Sequence, residues 1–296
     1  MRDTTRLLVV HARSPLHAGT GQSTSAVDLP IARDRATGLP LLPGSSLKGS
    51  LRARASVLTP DDVRGVFGPD TKNASDHAGS VAFSDARLLL MPVRSVAGTF
   101  AWVTSPWLLA SFGREAKLAG FGDLPPTPVV PTVEHCQTSG DTALDTSLGA
   151  RKVVVLEDFD LTVEPGLATA LAKTLAEILF PDDGVWRETF RKRLCVVHDD
   201  VMSFLAQHAT EIVTRVHINP ETGTAMDGQL WTEENLPAES ILVGVVEAMP
   251  FGRGAPSVEA CFDVLDTLVA DPIQLGGKAT VGRGRCQLHL RRGATP

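Results

Sequence analysis

The sequence predicts an α+β fold built mainly on antiparallel sheets. Short apolar runs typical of strands are mixed with amphipathic helical segments, without the regular strand–helix alternation of a parallel α/β sheet. Hydrophobic residues make up 43% of the 296 residues, which is enough for a substantial core. A chain of this length forms one large domain or two small ones.

The first half of the chain is predicted to begin with a strand and to contain three helices. We expect strands at 7–11, 81–90 and 98–103, a hairpin turn at 33–38, and helices at 47–58, at about 61–67 and from 105 onward. Ser45 or Ser46 is expected to cap the helix at 47–58, and Asp61 or Asp62 the next one. Their side chains accept hydrogen bonds from the free N–H groups at a helix start.

The second half is also predicted to mix strands and helices. We expect helices at 166–180, 201–208 and 257–269, strands at 212–218, 241–248 and 286–290, and a turn at 219–223. Ser257 is expected to cap the last helix, and Asp199 or Asp200 the one before it. Between 113 and 148 proline is frequent and polar residues follow, which predicts a surface insertion.

Several classes of protein are disfavoured by the composition. No stretch approaches the roughly 20 apolar residues of a membrane span, and the first residues lack a signal-peptide pattern. Four cysteines are widely scattered, which is typical of reduced thiols and gives no zinc spacing. We therefore expect a cytoplasmic protein that does not enter a membrane. His198, Asp199 and Asp200 resemble a metal cluster, but their place at a helix start favours N-capping.

The charge is unevenly distributed. The net charge is −6, yet residues 29–60 contain five basic side chains against one acid, and residues 276–296 contain five basic side chains and no acid. Two basic stripes on an acidic body can follow a phosphate backbone. The alternative for each stripe alone is a solvated surface.

Residues 40–52 are the most informative stretch. A Pro-Gly turn leads through two serines into a helix whose Lys48 and Arg52 lie four residues apart on one face. Free amides, the helix dipole and two cations suit a phosphate. We expect a phosphodiester ligand, with Ser45 and Ser46 donating hydrogen bonds. The alternative is an ordinary loop and helix cap.

A second candidate phosphate cradle is the glycine-rich segment 276–285. Gly277 and Gly282 allow a backbone to approach closely, while Lys278 and Arg283 supply positive charge. The alternative is a glycine-rich hairpin without a ligand. Aromatic residues are few and tyrosine is absent. A phosphodiester chain is therefore expected to be held through its backbone rather than by base stacking.

These motifs together resemble the RAMP superfamily of CRISPR proteins. The resemblance rests on Ser45–Arg52, on Asp28-Leu29-Pro30 and on the glycine-rich segment. More narrowly, 83–89, 92–104 and 233–237 are similar to the repeated backbone subunit of type III-B (Cmr) effector complexes. The resemblance extends over the whole chain.

The resemblance implies a ferredoxin-like (RRM-like) palm with an inserted thumb and a glycine-rich C-terminal loop. The chain would be a single domain, 1–296, in which about 113–160 and 219–240 are surface insertions or thumb. Copies would stack head to tail along a guide CRISPR RNA, together with other Cmr subunits. They would cut target RNA at regular intervals with a divalent metal, Mg²⁺ or Mn²⁺.

The family's cleavage aspartate falls on Asp28. A carboxylate in this glycine- and serine-rich loop can hold the metal or orient the attacking 2′-hydroxyl. His17 lies in the same loop as a general acid or base, with RNA contact or structural hydrogen bonding as its alternative. Glu233 and Glu234 are further catalytic candidates from a thumb-side loop, although paired acids are usually solvated. Lys48, Arg52, Arg54, Lys278 and Arg283 are expected to contact guide phosphates.

Other functions remain open at this point. The chain is alternatively a purely structural guide-binding subunit without its own catalysis. A third hypothesis is a stand-alone guide-processing RAMP ribonuclease that acts through His17 without metal. A type III-A backbone subunit would share the chemistry but have different partners.

Overall fold

A computed structural model describes residues 4–24, 26–70, 77–164, 168–251 and 254–293 of the chain. Thirteen strands of this part join one large sheet, and two more form a separate hairpin. The strands are β1 (Thr5–Ala12), β2 (Leu41–Leu42), β3 (Val81–Phe83), β4 (Ala86–Arg94), β5 (Phe100–Thr104), β6 (His135–Thr138), β7 (Thr146–Leu148), β8 (Arg151–Leu156), β9 (Phe159–Glu164), β10 (Leu194–Val197), β11 (Glu211–Ile218), β12 (Ala225–Asn235), β13 (Ile241–Ala248), β14 (Ile273–Gln274) and β15 (Arg285–Arg291).

The large sheet has the order β14-β15-β1-β13-β4-β5-β10-β6-β9-β8-β7, with β2 beside β4 and β3 beside β13. The pairs β5–β10 and β6–β9 are parallel, and the other pairs in the described part of the sheet are antiparallel. The predicted α+β class is confirmed. A ferredoxin-like palm is compatible with this order, and the boundaries of the thumb stay a prediction.

Helices cover both faces of the sheet. They are α1 (Gly44–Arg54), α2 (Pro60–Phe67), α3 (Pro106–Leu118), α4 (Ala168–Leu179), α5 (Gly184–Arg191), α6 (Asp199–His208) and α7 (Val258–Val269). Leu8 and Val10 of β1 pack into the core with α1, α6 and α7, whereas Leu7 and Val9 pack with α4, α5 and most of α3. Because both faces of β1 are buried, its sequence is a continuous apolar run rather than an alternating one.

The start of α1 differs from the prediction. The helix begins at Gly44, after Pro43, and the Gly44 amide donates to Oδ1 of Asp85 at 2.9 Å. Ser45 and Ser46 therefore lie exposed inside the first turn and do not cap the helix. A Cβ at position 44 would overlap the carbonyl oxygen of Phe83, which explains the glycine.

Two other observed caps lie one to three residues before the predicted ones. Thr59, rather than either aspartate, caps α2 by accepting from the Asp62 amide. His198 caps α6 through Nδ1, which accepts from the Asp200 amide. The Ser257 cap of α7 is confirmed, since its hydroxyl accepts from the Ala260 amide.

The predicted surface insertion at 113–148 is wrong for part of its length. Residues 113–118 complete α3, and β6 pairs with both β9 and β10 inside the large sheet. Cys136 and Leu144 are fully buried. The predicted strand 81–90 is also broken, into β3 and β4, whereas β13 matches its prediction residue for residue. Residues 166 and 167 of the predicted helix 166–180 lie outside the described residues.

The hairpin β11–β12 stands apart from the large sheet. The end of β12 nevertheless touches the N-terminal loop, which is the segment 13–40 between β1 and β2. Leu29 forms a parallel bridge with Glu233, and Leu16 forms an antiparallel bridge with Leu236. This contact brings together residues about 200 positions apart. No helix in the described part of the chain is long and apolar enough to cross a bilayer.

Candidate functional site

Thr232 of β12 holds the carboxylate of Asp28. Its backbone amide and its hydroxyl donate to Oδ2 of Asp28 at 2.7 and 2.9 Å, and its hydroxyl oxygen accepts from the Asp28 amide at 3.0 Å. The backbone bond, and next the side-chain bond, from Thr232 lower the pKa of Asp28 below its ordinary value. Asp28 is thus an exposed, ionised and oriented carboxylate.

Asp28 lines an open cleft of about 470 Å³. The cleft lies between the N-terminal loop, β12 and the glycine-rich segment. Its lining residues are Gln22, Ser23, Asp28, Leu29, Gln229, Leu230, Trp231 and Lys278. The structure therefore brings the predicted catalytic aspartate and one predicted phosphate-binding lysine to one surface.

Glu233 is buried beneath this cleft and carries three partners. Its Oε1 accepts from Lys278 Nζ and from Trp231 Nε1, both at 2.8 Å, and its Oε2 lies 3.4 Å from Arg215 Nε. Burial alone would raise the pKa of Glu233, but the hydrogen bonds from Lys278 and Trp231 and the two positive charges lower it. Glu233 is therefore an ionised anchor for Lys278.

Glu234 points into a different cluster. Its carboxylate pairs with Arg33 and accepts from the Thr210 hydroxyl at 3.0 Å and from the Ile31 amide at 3.1 Å. Both glutamates are buried and lie in β12, so the predicted loop position and the alternative of a solvated pair are wrong, while their catalytic role stays a prediction. The partners come from other parts of the chain, which the local sequence does not reveal.

His17 lies behind the cleft. It is 5% exposed, and its Nδ1 lies 2.7 Å from the carbonyl oxygen of Glu234. Since a carbonyl only accepts, Nδ1 carries the proton. The ring packs so close to Gly19 that a Cβ there would collide with it, and the His17 carbonyl accepts from the Gly277 amide at 2.9 Å. His17 does not belong to the residues that line the cleft.

The basic residues of α1 bond to the protein itself. Lys48 donates to the Val81 carbonyl at 2.8 Å, and Arg52 to that of Phe67 at 3.3 Å. Arg54 donates to the carbonyls of Asp271 and Pro272. Burial, and secondly the charge of Arg52, lower the pKa of Lys48. Ser45, Ser46 and these three cations lie away from the Asp28 cleft, and their contact with RNA stays a prediction.

The glycine-rich segment forms a shaped loop at the cleft. Gly282 and Gly284 have φ of 79° and 76°, and a Cβ at Gly284 would overlap the Leu275 carbonyl oxygen. Lys278 also has a positive φ, of 65°, which a non-glycine residue rarely adopts. Arg283 pairs with Glu211 at 3.4 Å. Burial raises the pKa of Glu211, and the charge of Arg283 opposes this.

Metal ligands are sparse. Within the described ranges, no three His, Cys, Asp or Glu side chains form a group suited to a metal. The metal-like cluster at 198–200 lies within these ranges. Its His198 caps α6, and its Asp199 accepts from the Trp107 amide. Mg²⁺ is commonly held by one or two carboxylates together with substrate phosphates. Asp28 fits that arrangement, and a site built from protein ligands alone does not.

Sequence reasoning missed Thr232 and Trp231. Thr232 orients Asp28 from 204 residues away, and Trp231 helps to fix Glu233. The available signal was their position directly before Glu233 and Glu234. Alternate residues of a strand share a face, which places Trp231 beside Glu233.

Comparison with known proteins identifies the family of the chain. The model of the RAMP superfamily matches residues 9–287. The chain is also 32% identical to the CRISPR system Cmr endoribonuclease Cmr4 of Pyrococcus furiosus, over 96% of this chain and 95% of that protein. The chain belongs to the Cmr4 family of the RAMP superfamily.

Other Cmr4 proteins and structures are similar along almost the whole length. CRISPR system CMR subunit Cmr4 of Saccharolobus solfataricus is 24% identical over 94% of both chains. Oligomeric Cmr4 from Pyrococcus furiosus superposes with a TM-score of 0.75 at 24% identity, over 98% of this chain and 99% of that one. A chain of the type III-B Cmr-beta complex bound to cognate target RNA gives 0.71 at 21%, over 97% and 96%. These two structures share the fold described above.

Proposed function

We propose that this chain is the backbone subunit of a type III-B CRISPR effector complex and cleaves target RNA. The observation that carries the proposal is the exposed Asp28 carboxylate, oriented by Thr232 in an open cleft, in a member of the Cmr4 family. A relative of 32% identity is named an endoribonuclease. Cleavage of the target RNA would take place in the cytoplasm.

The partners follow from the same family. The Pyrococcus furiosus Cmr4 structure is oligomeric, and the Cmr-beta complex holds a cognate target RNA. We infer that copies of this chain associate with each other, with other Cmr subunits, with a guide CRISPR RNA and with the target. Head-to-tail contacts that do not close generate such a filament.

A divalent metal, Mg²⁺ or Mn²⁺, belongs to the proposal. Asp28 would hold it together with phosphate oxygens of the RNA. The bound ion would supply Lewis-acid stabilisation of charge at the scissile phosphate. The protein itself contributes the orientation of Asp28 through Thr232 and the positive charge of Lys278 on the same cleft.

The experiment is target-RNA cleavage by the reconstituted complex, wild type against Asp28→Ala, with and without EDTA. We expect regularly spaced cuts that disappear with either change, while assembly and guide binding are retained. Asp123→Ala serves as a control, since this aspartate is exposed and outside the cleft. Cuts that survive Asp28→Ala would contradict Asp28 as the catalytic centre. They would place cleavage at His17, Glu233 or Glu234, or in another subunit, in which case this chain is purely structural.

The alternative of a metal-independent ribonuclease acting through His17 predicts a different pattern. EDTA would then leave cleavage intact, and His17→Ala would abolish it. The burial of His17 and its bond to the Glu234 carbonyl favour a structural role. We expect His17→Ala to lower thermal stability and to slow cleavage only indirectly.

A further inference from the structure

The cleft contains one candidate proton donor. Of its lining residues in the described part of the chain, Asp28 and Lys278 are the two with ionisable side chains. Resting on the proposed function, we infer that Lys278 is a catalytic residue that protonates the leaving 5′-oxygen of the target RNA. Glu233 is the positioning residue that holds its ammonium group.

The ammonium group is held rather than free to move. Lys278 Nζ lies 2.8 Å from Oε1 of Glu233, and the Lys278 side chain is 32% exposed whereas that of Glu233 is 2% exposed. Trp231 and Arg215 fix the same carboxylate from the hairpin side. An ammonium has three donors. One bond to Glu233 therefore leaves donors for an RNA oxygen.

The backbone of Lys278 is also unusual. Its φ of 65° places it in the left-handed region, directly after two glycines and before a short 3₁₀ turn, Ala279–Val281. Non-glycine residues in this region persist where the surrounding structure fixes them, and they cluster at functional sites. Gly276 packs on the His17 carbonyl so closely that a Cβ would overlap it. The loop thus fixes where the Lys278 side chain emerges.

The competing acid, His17, is poorly placed for this task. It lies behind Gly19 and Gly277, is buried, and uses its Nδ1 proton on the Glu234 carbonyl. Arg283, another cation of the segment 276–285, pairs with Glu211 and does not line the cleft. Lys278 is left as the group that combines exposure, charge and proximity to Asp28.

The reaction balances as a transesterification. The 2′-oxygen forms a bond to phosphorus while the bond from phosphorus to the 5′-oxygen breaks. The proton of the 2′-hydroxyl passes to water, and a proton of Lys278 Nζ passes to the 5′-oxygen. The products are a 2′,3′-cyclic phosphate and a 5′-hydroxyl, and the neutral amine regains a proton from water.

The test compares Lys278→Met in the reconstituted complex on two target RNAs. One target is ordinary, and the other carries a bridging 5′-sulfur at the cleavage site, which leaves without protonation. We expect Lys278→Met to slow cutting of the ordinary target by about 10²–10⁴-fold, the usual contribution of general acid catalysis. The 5′-thio target should be cut at nearly the wild-type rate.

Two variants control for charge and folding. Lys278→Arg keeps the charge, but a guanidinium does not release a proton, so the same selective slowing is expected. Lys152→Met removes an exposed lysine that pairs with Asp145 at 3.2 Å and does not line the cleft, and it should leave both rates unchanged.

Equal slowing of both targets by Lys278→Met and Lys278→Arg, or an unchanged rate on the ordinary target, would overturn the inference. Asp28→Ala separates this failure from that of the proposed function. It should stop cutting of both targets, and if it does not, the proposed function itself fails, whatever Lys278 does.

Discussion

Thr232 donates two hydrogen bonds to Oδ2 of Asp28, one from its backbone amide at 2.7 Å and one from its hydroxyl at 2.9 Å. The two residues lie on different elements and are 204 positions apart in sequence. The hairpin therefore sets the direction of the candidate catalytic carboxylate, although Asp28 itself belongs to the N-terminal loop.

Replacing the hydroxyl tests this relationship. Thr232→Val should slow target-RNA cleavage by about 10- to 100-fold, the usual effect of losing a residue that orients a catalytic ligand. The backbone bond would remain, so cleavage should not vanish. Thr232→Ser keeps the hydroxyl and should recover most of the rate. Single-turnover rates on a saturating target would measure both, and a serine variant as slow as the valine variant would refute the role.

The pair Arg33–Glu234 is expected to stabilise the fold. Arg33→Met leaves the Glu234 carboxylate buried without its cation, which should lower the free energy of unfolding by about 3 kcal/mol. Urea unfolding would measure it. Arg94→Met, which removes an exposed partner of Glu157, should cost less than about 1 kcal/mol. Similar losses in the two variants would contradict the prediction.

Two glycines of the same loop should respond differently to alanine. The Cβ added by Gly282→Ala meets no atom within 4 Å, so the variant should lose only the roughly 1–2 kcal/mol that the left-handed backbone costs a non-glycine residue. In Gly284→Ala the same backbone cost applies, and the added Cβ also overlaps the Leu275 carbonyl oxygen. We expect Gly284→Ala to lower the melting temperature clearly more than Gly282→Ala. Equal shifts would mean that the loop gives way at Leu275.

His289 should make stability depend on pH. Burial first, and then the charges of Arg291 and His11, lower its pKa in the folded chain, although Asp182 opposes this. Below the ordinary value of about 6.5 the unfolded chain binds more protons, so stability falls as the pH falls towards the folded pKa.

The control for this dependence is His289→Gln, which removes the titrating group. The loss of stability between about pH 7.5 and pH 5.5 should be smaller in the variant than in the wild type. Urea midpoints at the two values would show it, and parallel losses in both proteins would speak against His289.

Much of the fold could be predicted where local sequence decides the structure. The strand 241–248 and the Ser257-capped helix were predicted correctly because apolar periodicity and a cap residue are local signals. The cap of α1 was not, because the Gly44 amide is satisfied by Asp85, which lies between β3 and β4. Strand β6 was missed because its neighbourhood is rich in proline, while its pairing partners lie further along the chain.

The candidate site divides in the same way. Asp28 was found through a family motif, and Lys278 through a glycine-rich pattern. The burial of Glu233 and Glu234 was not foreseen, because the cations that neutralise them lie at Arg33, Arg215 and Lys278. Two adjacent acids are buried only when such distant partners reach them, and spacing along the chain does not show this.

The pairing of β1 between two strands from the end of the described chain has a consequence for synthesis on the ribosome. This first strand pairs on one side with β13 and on the other with β15. Its partners leave the exit tunnel only after more than 200 further residues have been added. Until then β1 lacks its sheet partners, and proteins with such long-range strand pairing fold slowly. The cleft, which needs residues 28, 232 and 278, is therefore complete only after residue 278 has been synthesised, so a chain interrupted before that residue lacks part of the cleft.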